Sequence, residues 1–333
     1  MNGGTATARA HVNIALVKYW GKRDEALFLP ANGSLSLTLD GLFTTTTVAF
    51  EPDLAADVFV RDGLAPGGEE ALRVTAFLDR VRALAGSSMR ARVVSRNDVP
   101  TAAGLASSAS GFAALAAAAS QAAGLHLDGA ALSRLARQGS GSACRSVFGG
   151  FVEWRRGSRP DGLDSHGVPL APPAHWDVRL VVTRLSEARK DHSSRDGMRA
   201  TMRTSPLYPG WLATVEQDLA DARTAIGARD LEALGQVAER SALKMHATML
   251  GAQPPFTYWL PTTLAVMQAV WDLRRAGVPA WLTIDAGPNV KVLTSPAAEA
   301  RVAASLAAVP GVAGLVRCAP GPGITWLEAP VEP

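Results

Sequence analysis

Cysteine is nearly absent from the chain, with two in 333 residues, Cys144 and Cys318. That is too few for a disulfide framework, and neither has the neighbouring Cys or His spacing of a zinc site. A reducing, cytoplasmic setting is expected, in keeping with the polar start Met1-Asn2-Gly3-Gly4-Thr5-Ala6-Thr7, which lacks the apolar core of a signal peptide. Long hydrophobic runs are missing too. The Ala-rich stretch 111–119 is broken by Ser120 and Gln121, well short of the roughly 20 strongly apolar residues of a membrane span. Charge of one sign is scarce: 33 basic against 30 acidic side chains leave a net +3, and without a run of five or six like charges nucleic acid is not indicated. Walker A and Gly-x-Gly-x-x-Gly sequences do not occur, nor does an internal repeat.

With 47% apolar and 19% charged residues, the chain can bury one large core or two ordinary ones, and two domains are the better expectation. Val12, Ile14 and Leu16, and again Leu35, Leu37 and Leu39, alternate with other residues as in half-buried strands. Residues 44–50 form a third β-rich run, and Val74, Phe77, Leu78, Val81 and Leu84 recur at helical spacing. A strand at 91–94 feeds a long helix over about 105–123. Another helix follows near 128–138, then a strand over 147–154 and a surface excursion rich in Gly, Pro, Asp and Ser over 155–174. Beyond a buried strand at 178–183, helices are expected over 211–226, 231–250 and 261–275, and strands at 280–284, 290–294, 314–317 and 325–328. Both halves therefore read as α+β, divided at 184/185.

Five segments carry candidate chemistry. Pro100-Thr101-Ala102-Ala103-Gly104-Leu105-Ala106-Ser107-Ser108-Ala109 combines small residues, hydroxyls and an incipient helix. At such a helix start unpaired N–H groups and the helix dipole favour a polyphosphate, although a small-residue helix chosen for tight packing would look the same. Lys18-Tyr19-Trp20-Gly21-Lys22 places two cations and a phenol at a strand end, as an anion site or as an exposed basic turn. Gly139-Ser140-Gly141-Ser142-Ala143-Cys144-Arg145 is a second anion cradle or a linker; Arg145 brings a planar fork suited to carboxylate or phosphate. Ser193-Ser194-Arg195-Asp196-Gly197-Met198 mixes charge and hydroxyls in what also reads as a solvated loop, where His192 has no evident partner. Asp285, entering Ala286-Gly287-Pro288-Asn289, is either a turn residue or a carboxylate held rigidly on a strand end.

Together these segments, in this order from about residue 10 to 287, with Val12-Asn13-Ile14-Ala15 and Gly149-Gly150-Phe151-Val152-Glu153-Trp154, closely resemble the mevalonate diphosphate decarboxylases of the GHMP kinase superfamily. The resemblance implies a two-lobed α+β fold, with an N-terminal lobe like ribosomal protein S5 domain 2 and a C-terminal ferredoxin-like lobe, usually as a homodimer. It implies ATP and Mg²⁺ as co-substrate and cofactor, with Pro100, Ala103, Gly104, Leu105, Ala106, Ser107, Ser108 and Ala109 at the nucleotide, and the metal near Ser107, Ser108 and Asp285. Mevalonate 5-diphosphate would meet Tyr19, Lys22, Ser140, Gly141, Ser142, Arg195 and Met198 through its phosphates and Arg145 through its carboxylate. Ser194 would sit by the reacting tertiary hydroxyl, Asp285 would orient or deprotonate it, and Lys18 would tune Asp285. Gly33 stands where Ser is common in the family, and the Pro-Gly-Lys opening of ordinary sugar or mevalonate kinases does not occur. A decarboxylase of mevalonate 5-phosphate, a 3-kinase that stops before decarboxylation, and a non-catalytic sensor are the alternatives. The extra cations Tyr19 accompanies, Lys22 and Arg195, favour the diphosphate.

Overall fold

A computed structural model of the chain describes residues 4–98, 107–185 and 192–332, apart from the Ser107 side chain. The first half runs through β1 (Thr5–Val17), the short antiparallel pair β2 (Lys22–Asp24) and β3 (Leu29–Pro30), β4 (Ser34–Glu51), β5 (Val58–Arg61) and α1 (Glu69–Ala85). It continues with β6 (Arg90–Asn97), α2 (Ser107–Ala122), α3 (Gly129–Arg137), α4 (Ala143–Ser146), β7 (Phe151–Trp154) and β8 (Gly167–Ala171). The second half holds β9 (Arg179–Arg184), α5 (Ser194–Thr204), α6 (Tyr208–Ala228), α7 (Leu231–Leu250) and α8 (Pro261–Arg275). Then come β10 (Ala280–Ile284), β11 (Val290–Thr294), α9 (Pro296–Ala307), β12 (Gly314–Cys318) and β13 (Thr325–Leu327).

Among the described residues, seven strands form one sheet in the order β13-β1-β4-β6-β5, with β7 and β8 continuing from the other half of β4. A second sheet has the order β10-β11-β9-β12 and is antiparallel throughout. The two β runs expected at 35–39 and 44–50 are one 18-residue strand, β4, whose start pairs with β7 and whose end pairs with β6. Neither β1 nor β4 is half-buried: His11, Asn13, Ser34, Ser36 and Thr38 are as enclosed as their apolar neighbours. Helices lie on both faces of this sheet, so both sets of side chains are covered. Ala6, Ala8 and Ala10 join the core under α1 and α2, whereas Val12, Ile14 and Leu16 join the core under α6 and α7. The β1–β4 register shifts between His11 and Asn13, which exchanges the faces of same-parity residues.

Other departures have local causes. The strand expected over 147–154 is confined to 151–154, and the excursion 155–174 contains β8, paired with β7. Leu84 falls on the helical pattern but is exposed. The strand near 325 belongs to the first sheet, since β13 returns to pair with β1, and β9, which lies before the 184/185 division, belongs to the second. A third core packs α8 and α9 against the second sheet through Val266, Val270, Leu282, Val292, Val302 and Leu306.

Candidate active site

β1 ends at Val17, and its last register shift, between Ala15 and Val17, turns the chain so that Lys18 points back toward the second sheet. The Lys18 amide donates to Ser241 Oγ on α7 at 3.0 Å. Its ammonium donates to Ala15 O at 2.8 Å and to Asp285 Oδ1 at 2.6 Å. Asp285 follows β10 and enters a tight turn closed by Gly287 N donating to Asp285 O at 2.7 Å. Across that hairpin, β11 returns Lys291 opposite Thr283, and its ammonium stands 3.0 Å from Asp285 Oδ2. The carboxylate is thus flanked by two lysines that are each less than 5% exposed, while a third of its own side chain stays open to the cleft.

Burial pushes the Lys18 ammonium down to about 8, against the opposing pull of Asp285. For Asp285 burial acts upward, but the Lys18 and Lys291 charges and their hydrogen bonds outweigh it and hold the carboxyl well below the usual range. His246, on α7, lies against the backbone of Ile284 and Asp285 and packs at a tilt on Trp259 with ring centroids 4.9 Å apart. Burial and the Lys18 charge press it down to about 3, so it is neutral at ordinary pH.

Arg145 sits on α4, 2% exposed. Its Nε and Nη2 donate to Asn13 Oδ1 at 3.2 and 3.1 Å, and Nη1 donates to Ser34 Oγ at 2.5 Å. Asn13 in turn donates to Ser142 O at 3.1 Å and Ser146 Oγ at 2.7 Å, which fixes the orientation of its amide. Among the described residues these hydrogen-bond partners of the guanidinium are all neutral. A buried cation oriented this way and facing a cleft calls for an anion from outside the protein.

Around Arg145 the turn between α3 and α4 supplies Ser140, Gly141 and Ser142. Tyr19 packs on Trp154 with ring centroids 4.7 Å apart, and a Cβ on Gly141 would meet the Tyr19 Oη at 3.1 Å. The Tyr19 hydroxyl is buried without a hydrogen-bond partner among the described residues, and burial drives its pKa up, so it is a donor in wait of an acceptor. Lys22 lies over the Phe28 ring at 4.3 Å and pairs with Glu25 at 2.7 Å. Opposite, Ser193 caps α5 by accepting from Asp196 N at 3.1 Å, presenting Ser194 and Arg195 at the helix start with Met198 one turn on.

One cleft of about 1020 Å³ gathers Lys18, Tyr19, Lys22, Ser108, Ser140, Gly141, Ser142, Arg145, Ser194, Arg195, Met198 and Asp285. Of the residues expected at the nucleotide, Pro100, Ala103, Gly104, Leu105 and Ala106 lie outside the described residues. Ser107 opens α2, Ser108 reaches the cleft with Ser140 Oγ 3.5 Å from its Oγ, and Ala109 is fully buried, leaving only its backbone to serve a ligand. Sequence reasoning missed Asn13, Arg73 and Lys291, which also line the cleft. Arg73 stands over Phe112 and donates to Gly139 O at 3.4 Å. The usable signal for Lys291 was a lysine between two valines in the otherwise uncharged strand Val290–Thr294, six residues beyond Asp285 across a hairpin turn.

Comparison with known proteins gives one consistent result. A family model described as diphosphomevalonate decarboxylase-like N-terminal domain matches residues 10–167, and one described as mevalonate 5-diphosphate decarboxylase C-terminal domain matches 180–313. The diphosphomevalonate decarboxylase of Ganoderma lucidum is 40% identical over 311 residues, covering 87% of this chain and 78% of that protein. The crystal structure of mevalonate diphosphate decarboxylase from Staphylococcus aureus superposes with a TM-score of 0.94 at 43% identity, covering 98% of each chain. MDDEF in complex with MVAPP, AMPPCP and magnesium superposes with a TM-score of 0.92 at 45% identity, covering 98% of this chain and 100% of that one.

Proposed function

The chain belongs to the mevalonate 5-diphosphate decarboxylase family, and from that premise we propose how its cleft performs ATP-dependent decarboxylation of mevalonate 5-diphosphate. Its fold is the two-lobed GHMP kinase fold of that family. The products are isopentenyl diphosphate, ADP, phosphate and CO₂. One observation carries the assignment of roles: a buried guanidinium whose hydrogen-bond partners among the described residues are all neutral, Arg145, and a carboxylate clamped by two lysines, Asp285, line the same cleft.

A tertiary hydroxide is a poor leaving group, so the 3-hydroxyl first takes the γ-phosphoryl group of ATP. Asp285 accepts a hydrogen bond from that hydroxyl and aligns its oxygen with phosphorus. Because Lys18 and Lys291 hold the carboxylate ionised, it takes the hydroxyl proton only late, once the O–P bond has formed and the bond to ADP has broken, and then yields it to solvent. A loose phosphoryl transition state needs little proton abstraction early, so orientation is the larger part of its role. Departure of the 3-phosphate then takes the C3–O electron pair and leaves positive character at C3. Cleavage of the C1–C2 bond releases CO₂ and supplies the pair that forms the new double bond. Arg145 anchors the C1 carboxylate as its anion, the form that must lose CO₂. Tyr19, Lys22, the Ser140-Gly141-Ser142 turn, Arg195 and Met198 receive the diphosphate end, and Ser194 sits beside the reacting hydroxyl.

The ATP phosphates are assigned to residues 100–109 and the start of α2, since a helix start leaves N–H groups without intrahelical partners and so favours an anion. Magnesium would be held by the hydroxyl of Ser108, on the cleft wall; Ser107, expected beside it, has its side chain outside the described residues, and the bound ion would supply charge neutralisation on the phosphate chain. Asp285 suits it poorly, because both carboxylate oxygens already face ammonium groups. We assign residues 1–184 to the nucleotide-binding lobe and 185–333 to the second, with β9 and β13 crossing that division. The resemblance and the low cysteine count support a homodimer in the cytoplasm; among the described residues no helix is long and apolar enough to cross a membrane.

The test is turnover with ATP and Mg²⁺, following ADP and CO₂ separately with mevalonate 5-diphosphate and mevalonate 5-phosphate. Equal release of both products from the diphosphate is expected. ADP without CO₂ would make the protein a 3-kinase, and preference for the monophosphate would move it to the other decarboxylase.

A further inference from the structure

Beside the diphosphate end of the cleft, behind two of its lining cations, stands a carboxylate for which the reaction has no use. Glu25, in the turn after β2, places Oε2 2.7 Å from Lys22 Nζ and Oε1 3.2 Å from Arg199 Nε. Lys22 belongs to the first lobe and Arg199 to α5, and both line the cleft, so one carboxylate bridges cations from its two sides. The three side chains differ in freedom. Lys22 is 5% exposed and packed on Phe28, whereas Glu25 is 46% and Arg199 50% exposed. Glu25 can swing into solvent, but Lys22 cannot follow it and needs another anion in its place.

We infer that Glu25 is an internal stand-in for substrate phosphate: it occupies Lys22 and Arg199 until a diphosphate exchanges for it, which makes Arg199 a further diphosphate-binding cation and Glu25 a specificity-determining residue. The inference rests on the assignment of this end of the cleft to the diphosphate. Discrimination follows from what each ligand can replace. A diphosphate has the charge and reach to take both cations at once, which offsets the bridge it breaks. A monophosphate reaches fewer cations and leaves the carboxylate nearby to repel it.

Calorimetric titration with inorganic diphosphate and inorganic phosphate, wild type beside Glu25→Gln and Arg199→Gln, tests this without requiring turnover. Glu25→Gln is expected to bind diphosphate about fivefold more tightly, and Arg199→Gln more weakly by a similar factor. Both differences should shrink at about 0.5 M salt, as expected for half-exposed charges. In steady state Glu25→Gln should lower KM for mevalonate 5-diphosphate rather than change kcat, and narrow the preference for it over mevalonate 5-phosphate. A higher KM, or an unaltered preference and diphosphate affinity, would show that Glu25 merely holds Lys22 in place and would overturn the inference. A wild type that binds diphosphate yet releases no CO₂ would defeat the proposed reaction and leave this result standing, so the two failures are separate.

Discussion

At Lys18 burial and a neighbouring carboxylate pull in opposite directions, and burial wins. The ammonium titrates at about 8 instead of 10.5. Between those values the unfolded chain binds more protons than the folded one, so this group makes stability rise with pH through that window and adds a constant penalty below it. Activity runs the other way, because an uncharged Lys18 no longer fixes Asp285. In the free enzyme kcat/KM is expected to fall above about pH 8, and Lys18→Met to be slow at every pH without that limb; a wild-type profile flat to about pH 9.5 would remove Lys18 from the cluster. Asn13 is the matching prediction for Arg145. Asn13→Ala strips Arg145 of the acceptor for Nε and Nη2, with an expected cost of about 2–3 kcal/mol in urea denaturation and a rise in KM larger than any fall in kcat. Lys18, Arg145 and Asp285 were legible in the sequence because each stands in a segment that carries the family resemblance, although locally each also reads as an ordinary turn or linker residue. Asn13 and Lys291 were not, because they lie inside strands, where a buried polar residue looks like the solvent-facing member of an alternating pattern until the opposite face is known to be covered.

Elements were legible where an apolar stripe was wide. The third long helix of the second half was placed at 261–275, where α8 lies. α5 was read as a loop because it buries only Gly197 and Thr201, too little to leave a periodic apolar trace. Its signal lay instead in the cap, Ser193 with Asp196 three residues on, a combination that marks a helix start. α9, also missed, is announced by Ser295-Pro296 and by Val302 and Leu306 four residues apart. Gly21 shows how such elements are pinned to one another. It has φ +101°, and the carbonyl of the preceding Trp20 accepts from Tyr208 Oη at 2.9 Å, which ties the Lys18–Lys22 turn to α6. A Cβ there would run into that hydroxyl and into Met202 Sδ at 2.8 Å. Gly21→Ala is therefore expected to cost about 2 kcal/mol by denaturation midpoint and to weaken diphosphate binding, since Tyr19 and Lys22 flank it. An unchanged midpoint would mean that the turn is not strained.

On the scale of the whole molecule, the lobes were readable as two α+β units, but the way the chain joins them was not. Pairing partners distant in sequence leave no local trace, so neither the return of β13 to β1 nor the placement of β9 in the second sheet could be read from composition or period. The lobes share the apolar core beneath α6 and α7, and polar contacts at the site and beyond it add to that joint. Thr283 Oγ1 donates to Ala15 O at 3.2 Å, and Arg223 on α6 pairs with Glu153 on β7 at 2.7 Å. The catalytic cluster itself spans the lobes, with Lys18 from the first and Asp285 and Lys291 from the second. The most direct test of the account is single turnover by Asp285→Asn beside wild type, with binding of ATP and mevalonate 5-diphosphate titrated on the same samples. Binding should stay within about tenfold while ADP and CO₂ formation both fall by about 10³ or more. Turnover near the wild-type rate with binding intact would contradict the placement of the reaction at Asp285.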